Sequence, residues 1–354
     1  MPRVHAILPL PAPVNGMTLA SKALIALFDD QVEVHGYSNS ANWSPRTWSV
    51  IRHLLLTLNL MIAAFKSRGR HRVYFVPSAG WGLLVNISHS ILLRLAFKHV
   101  WLHHHVFSYC RQRDWRMTLF LSLLGPNVNH IVLSNLMAEK LHSNYAAARF
   151  VTLNNAPLTT EIGRSPRTRT LPRAVGYLGS NSLEKGLDTA IEAMTALSET
   201  STNYQYFIAG PITDPKLHGM ISGFVRDDPE NRFFMGTLGP NEKEQFFNQI
   251  DVLLFPTRYQ NEAQPLTIFE ALAHGCPVLA TDRGCIPEQL EPLHTCFAES
   301  QYISACTNLF AKWAAHPSLF AGASNAARAR YREQLDIGIR QAQQLSAQLT
   351  HDPV

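Results

Sequence analysis

A chain of 354 residues, 46% hydrophobic and 16% charged, is long for one domain and comfortable for two. That balance excludes a disordered or fibrous protein, and the absence of any apolar run of about eighteen residues argues against a transmembrane helix. The net charge of +5 is unevenly spread: residues 1–165 hold 16 Lys+Arg against 6 Asp+Glu, and residues 166–354 hold 15 against 20. A basic half suits an anionic membrane surface or an anionic acceptor. The acidic second half, and the lack of interleaved basic and aromatic residues, speak against nucleic acid. The five cysteines, Cys110, Cys276, Cys285, Cys296 and Cys306, have no CxxC spacing and read as reduced thiols.

In chain order, MPRVHAILPLPAP reads as a first buried strand, Val4–Leu10, and not as a secretory leader. A helix is predicted over Met17–Phe28. Further strands are predicted at Val32–Tyr37, Arg72–Val76, Val100–His105, Ile131–Ser134 and Phe150–Leu153, with an apolar helix at Trp48–Phe65. Alternation of this kind means a parallel sheet with helices on both faces. The pattern stops in PLTTEIGRSPRTRTLPR, residues 157–173, which reads as a linker. It then resumes with strands at Ala174–Leu178, Tyr204–Ala209, Arg232–Met235, Val252–Phe255, Pro277–Ala280 and Thr295–Ala298. Helices are predicted at Lys185–Leu197, Asn241–Gln249, Thr267–His274 and Ile303–His316, and the tail Ser318–Leu349 is helical throughout. Ligands of such doubly wound sheets sit at the carboxyl ends of the strands, so two sheets imply a site in the cleft between them.

Four segments carry chemistry. In Asn261-Glu262-Ala263-Gln264-Pro265-Leu266-Thr267-Ile268-Phe269-Glu270, two carboxylates flank a helix start. The N–H groups of residues 264–267 and the helix dipole favour a diphosphate, while Glu262 and Glu270 can accept from sugar and ribose hydroxyls. In Gly179-Ser180-Asn181-Ser182-Leu183-Glu184-Lys185-Gly186, a lysine at a strand–helix bend can reach a pyrophosphate as a point charge. Gly16, between the first strand and first helix, permits close backbone approach to a ligand. His103, His104 and His105 end a strand; alternation puts His103 and His105 on one face and His104 on the other, which disfavours a metal site.

The E-x7-E spacing of Glu262 and Glu270, followed by A-L-A-H-G-C-P-V-L-A-T, resembles retaining glycosyltransferase family 4. That resemblance implies a GT-B fold, α/β, with two Rossmann-like doubly wound domains facing across a cleft. Residues 1–160 would bind the acceptor, 161–172 would link, and 173–335 would bind the nucleotide-sugar donor; helix 336–354 would pack back on the first domain. It further implies that Glu262 contacts the donor sugar, Glu270 the ribose, Lys185 the leaving diphosphate, and Gly16 with Gln264, Pro265, Leu266 and Thr267 the phosphates. His105, with His103 behind it, would hold the transferred sugar, although Val106 replaces the family's usual glycine. The loop with Thr237 and Leu238 would hold the nucleobase. Ser180 stands where the family has an arginine, and Arg258 is the candidate replacement.

The family's chemistry is metal-independent and cofactor-free, in keeping with the missing DxD motif. The departing diphosphate accepts the acceptor's proton, and the anomeric configuration is retained. The expected partners are a nucleotide-diphosphate sugar and a glycan or lipid-linked acceptor of bacterial-type surface polysaccharide synthesis. The expected location is cytoplasmic, with peripheral contact at the inner face of an anionic membrane. The alternative is a catalytically inactive nucleotide-sugar-binding partner subunit, for which Ser180 and Val106 speak.

Overall fold

The computed structural model describes residues 4–10, 32–38, 45–67, 71–159, 169–200, 204–212 and 214–350. The predicted helix Met17–Phe28 and Gly16 lie outside them. The chain divides into two units, Met1–Leu158 with Asp336–Val354, and Thr159–Leu335.

The first unit holds six parallel strands: β1 (Val4–Leu10), β2 (Val32–Ser38), β3 (Arg72–Phe75), β4 (His99–His103), β5 (Val128–Val132) and β6 (Phe150–Thr152), in the order β2-β1-β3-β4-β5-β6. Helices α1 (Pro45–Ser67), α2 (Gly82–Ala96), α3 (Trp115–Leu124) and α4 (Asn135–Tyr145) lie between strands. Residues such as Ala6, Val73, Phe75, Leu102 and Ile131 are fully buried, as a parallel sheet covered on both faces requires. Asp114 caps α3, accepting from the Arg116 N–H at 2.8 Å, and Ser134 caps α4, accepting from the Met137 N–H at 3.2 Å. The strand predicted to reach His105 ends at His103. Its β5 partner for His103 is Ile131, one residue from that strand's end, so the ladder runs out and His105 falls in a loop. Similarly, β5 begins three residues before the predicted Ile131, because Asn129 and His130 lower the apolar signal.

The second unit repeats the plan with β7 (Ala174–Leu178), β8 (Gln205–Ala209), β9 (Arg232–Phe234), β10 (Val252–Phe255), β11 (Val278–Thr281) and β12 (Cys296–Phe297). All are parallel, in the order β12-β11-β10-β7-β8-β9. Its longer helices are α5 (Leu187–Thr200), α6 (Leu217–Asp227), α7 (Pro240–Gln249), α8 (Leu266–Ala273) and α9 (Tyr302–Ala315), and α10 (Pro317–Thr350) closes the chain. Alternation along the strands builds two cores. Val175, Tyr177, Tyr206 and Ile208 face α5 and α9, while Leu178, Phe207 and Ala209 face α7 and α8. From β7 the order runs through β8 and β9 one way and through β10, β11 and β12 the other. The crossover direction therefore reverses between β7 and β10, and the crevice above their carboxyl ends is the ligand position of such sheets.

The proline- and arginine-rich stretch does not end as free chain. Arg169 is buried; its Nη2 donates to the Phe247 and Ile250 carbonyls at 2.7 and 2.9 Å, beside Asp251 at 3.6 Å. Asp251 in turn accepts from the N–H groups of Arg173 and Ala174 at 2.8 and 2.9 Å, fixing the start of β7. The last part of α10 belongs with the first unit, where Leu345 and Leu349 are buried and Arg72 Nη1 donates to the Leu349 carbonyl at 2.5 Å. All five cysteines are free thiols.

Candidate functional site

The site of the second unit grows from the loops that follow β7 and β10, the two strands at the reversal. After β7 the chain turns through Gly179 and Ser180, and Asn181 pins the loop. Its backbone N–H donates to the Pro211 carbonyl at 2.8 Å, and its buried Nδ2 donates to the Gly210 carbonyl at 2.6 Å. Gly186 follows with φ +78°; a Cβ there would sit 1.9 Å from the Pro256 carbonyl oxygen. Only glycine lets the two loops approach this closely. The approach sets Lys185 against the β10 loop. Its Nζ donates to Glu262 Oε2 at 2.6 Å and lies 4.4 Å from the centre of the Tyr259 ring.

Glu262 is buried, and the same oxygen accepts from the Thr257 hydroxyl at 3.1 Å. Gly284, at φ +56°, gives way to the main chain here, since a Cβ would meet the Glu262 carbonyl oxygen at 2.2 Å. Beyond the loop, Pro265 caps α8, whose first N–H groups (Leu266, Thr267 and Ile268) have no intrahelical acceptor and form the positive end of the dipole. Gln264 is buried, and Leu266 and Thr267 are half-buried.

Glu270 lies in the second turn of α8 and is 8% exposed. One oxygen accepts from Lys243 Nζ of α7 at 2.7 Å; among the described residues the other, Oε2, is buried without a hydrogen-bond partner. Buried carboxylate oxygens are rarely left so, and a hydroxyl or N–H donor would satisfy it.

The structure thus brings Lys185 and Glu262 together and gives each predicted glutamate a lysine. It does not bring Arg258 to that pair. The Arg258 guanidinium grips both oxygens of Asp188 at 2.7 Å and donates to the Leu183 carbonyl at 2.6 Å, which ties the β10 loop to the start of α5. Ser180 is half-buried; Thr237 is exposed and Leu238 packs against the core beside α7. Lys243, Thr257, Tyr259 and Asn181 escape sequence reading. Lys243, Thr257 and Tyr259 are single residues outside any motif, Asn181 lies unmarked within the Lys185 segment, and only the fold makes each a neighbour.

In the first unit, His105 Nε2 lies 3.1 Å from His103 Nδ1, which also bonds the Tyr74 hydroxyl. His104 points to the other side, to the Tyr109 hydroxyl at 3.0 Å, and is stacked on His130 with Nε2 to Nδ1 at 3.0 Å. Burial lowers His105 and His130 to about 4. Burial first, and neighbouring imidazoles second, hold His103 and His104 well below the usual range. These rings are neutral at physiological pH and act as hydrogen-bonding groups. Among the described residues no group of three or more His, Cys, Asp or Glu is placed to hold a metal ion.

Residues 172–311 match the family of group 1 glycosyl transferases. No curated protein matches the chain by sequence. Solved structures share its fold. The sucrose-phosphate synthase of Thermosynechococcus elongatus is 17% identical with a TM-score of 0.70, over 98% of this chain and 99% of that one. HepE of Anabaena, in complex with UDP-glucose, is 15% identical with a TM-score of 0.68, over 97% and 99%. WaaG, a glycosyltransferase involved in lipopolysaccharide biosynthesis, is 16% identical with a TM-score of 0.66, over 98% and 99%. At these identities the likeness establishes the fold, GT-B with two Rossmann-like units, and residues 172–311 of the second unit are similar to group 1 glycosyl transferases.

Proposed function

We propose that the chain is a retaining, metal-independent hexosyltransferase that moves a sugar from a nucleotide-diphosphate donor to a glycan or lipid-linked acceptor of surface polysaccharide synthesis. The observation that carries this reading is the pairing of Lys185 with Glu262 beside Glu270, at the reversal point of a group 1 glycosyl transferase domain. A fold neighbour holding UDP-glucose agrees with it.

In this reading the unpartnered Glu270 Oε2 accepts from the ribose hydroxyls. The Leu266 and Thr267 N–H groups meet the diphosphate, with Gln264 and Pro265 shaping the approach. Thr237 and Leu238 border the base. Glu262 accepts from hydroxyls of the donor sugar, and His105, backed by His103, is assigned a neutral imidazole's role toward a sugar hydroxyl. Lys185 stabilises the charge that develops on the leaving diphosphate, a preorganised electrostatic contribution that costs no reorganisation at the moment of bond breaking. The diphosphate oxygen takes the acceptor's proton, so no protein carboxylate acts as a nucleophile. Positioning supplies the rest of the rate. With Arg258 held by Asp188, Lys185 carries the leaving-group charge without a second cation.

The test is thermal stabilisation by a panel of nucleotide sugars in chelator, on wild type and Glu270→Ala. A ligand that binds only the folded state raises the melting temperature by mass action. One nucleotide sugar and its diphosphate are expected to stabilise the wild type and not the variant. A shift that needs added metal removes the metal-independent part. No shift from any member removes the donor site. Stabilisation without turnover on any acceptor turns the reading to an inactive partner subunit.

A further inference from the structure

The first unit shows solvent an apolar surface that none of the residues proposed for transfer uses. α1, α2 and α3 lie side by side. The Thr57 hydroxyl of α1 is 2.7 Å from His89 Nε2 of α2, and the Ser67 hydroxyl at the end of α1 donates to the Ala96 carbonyl at the end of α2 at 2.7 Å. At the other flank Arg116, at the start of α3, lies 5.8 Å from the Trp81 ring at the start of α2, while Arg94 near the end of α2 reaches the Leu123 carbonyl near the end of α3. The three helices therefore run parallel as one layer. Their inward sides are buried through Leu60, Ala63, Leu83, Leu93, Met117 and Phe120.

Their outward sides are apolar as well. On α1 the residues Leu55, Leu58, Ile62 and Phe65 recur at the spacing of one helix face and are exposed, opposite Leu60 and Ala63. On α2 the same holds for Leu84, Ile91 and Leu95, with Trp81 just before the helix, and on α3 for Trp115 and Leu119. Phe65 is 77% exposed, Trp81 80%, Leu95 75% and Trp115 64%, which is full presentation to solvent and not residual exposure at a core edge. Single exposed apolar residues need no explanation; a layer of three helices lined with them does.

Charge selects the partner. Between Glu33 and Asp114 the sequence has no acidic residue and ten Lys+Arg; Arg72 is buried, and Lys66, Arg94, Lys98, Arg111 and Arg113 are exposed. Of the acids that bound this stretch, Glu33 pairs with Lys66, and Asp114 pairs with Arg116 at 2.8 Å. A second copy of the chain would bring the same basic surface against itself, since a two-fold contact is self-complementary. An anionic bilayer offers the opposite charge, an apolar interior and an interface at which tryptophan is favoured. Among the described residues no helix is long and apolar enough to cross a membrane, so the contact lies in the interface plane.

We infer that the outward face of α1, α2 and α3 is a docking surface for an anionic lipid bilayer, with Trp81, Trp115, Phe65 and Leu95 as its apolar anchors. The test is flotation of the full chain with phosphatidylcholine vesicles, with and without phosphatidylglycerol, at low and high salt. Binding is expected to the anionic vesicles and to fall about fivefold for each basic residue whose contact is screened. The variant Trp81→Gln with Trp115→Gln is expected to lower the partition coefficient about tenfold or more through lost apolar burial. A second measurement needs no variant: brominated lipid is expected to quench wild-type tryptophan fluorescence. Absence of flotation with anionic vesicles at low salt, or flotation of the variant equal to wild type, overturns the inference. So does a concentration-dependent dimer that the variant abolishes without any vesicle binding. None of these readouts depends on sugar transfer, so this inference and the proposed activity fail separately.

Discussion

At the residue scale, Lys185 owes its place to the glycine after it. Because Gly186 allows contact with the Pro256 carbonyl, the lysine is held by Glu262 and the Tyr259 face and is not left to sweep through solvent. Lys185→Ala is expected to lower kcat about 10²–10³-fold with the donor still bound, read by initial rates under donor saturation. Lys243→Ala leaves both oxygens of buried Glu270 without a protein donor, and a weaker stabilisation by the nucleoside diphosphate is expected in the same thermal assay. The positions of Lys185 and Glu262 on loops after strands could be read from the sequence, while the roles given to them and to Glu270 came from the family resemblance. Lys243 could not be read in either way. Within Asn-Glu-Lys-Glu-Gln it reads as one more solvated helix charge, and only the packing of α7 beside α8 makes it the partner of Glu270.

At the element scale, strands were read more closely than helix boundaries. Ala174–Leu178 and Val252–Phe255 stand out as apolar runs bounded by turns and match β7 and β10 to the residue. α6 left no such mark: LHGMISGFVRD places two glycines within the helical period, and only its buried stripe of Leu217, Ile221 and Phe224 holds it. Local backbone then becomes testable. Gly186→Ala combines a positive φ with a clash against main chain, so a loss of about 2 kcal/mol or more in stability is expected, together with loss of nucleotide binding.

The histidines after β4 give a pH prediction. His105 and His130 titrate near 4 in the fold and near 6.5 when unfolded. Below pH about 6.5 the unfolded chain gains protons that the folded chain refuses, so stability falls as pH drops from there toward 4. Melting temperature against pH should show this slope, and His130→Gln should reduce it.

At the scale of the whole molecule, the chain completes its first unit last. Asp336–Val354 belongs with the strands laid down at the start, and the buried guanidinium of Arg72 takes its acceptor from Leu349. Gly338 permits this packing, since a Cβ there would meet the Pro157 ring and the Asn154 side chain at 2.5–2.6 Å. Deleting residues 336–354 is therefore expected to lower the melting of the first unit while a transition stabilised by nucleotide persists, seen as two resolved steps in calorimetry. The doubly wound class could be read from alternation. The return of the tail to the first unit was expected from the family resemblance and not from its pattern, because a helical period says which face is apolar and not which sheet will cover it.

The two lysine–glutamate pairs have one more consequence. Before any ligand arrives, the pocket already holds its own counterions: Lys185 is balanced by Glu262 and Lys243 by Glu270. An anion that draws Lys185 toward itself strips Glu262 of a partner in a buried setting, and that carboxylate must then be satisfied by something else. A sugar diphosphate brings hydroxyl donors to do it in the same act. Inorganic pyrophosphate brings no sugar hydroxyls. On the proposed reading the site would discriminate by exchange and not by attraction, and a bare polyanion would compete more weakly than its charge alone implies.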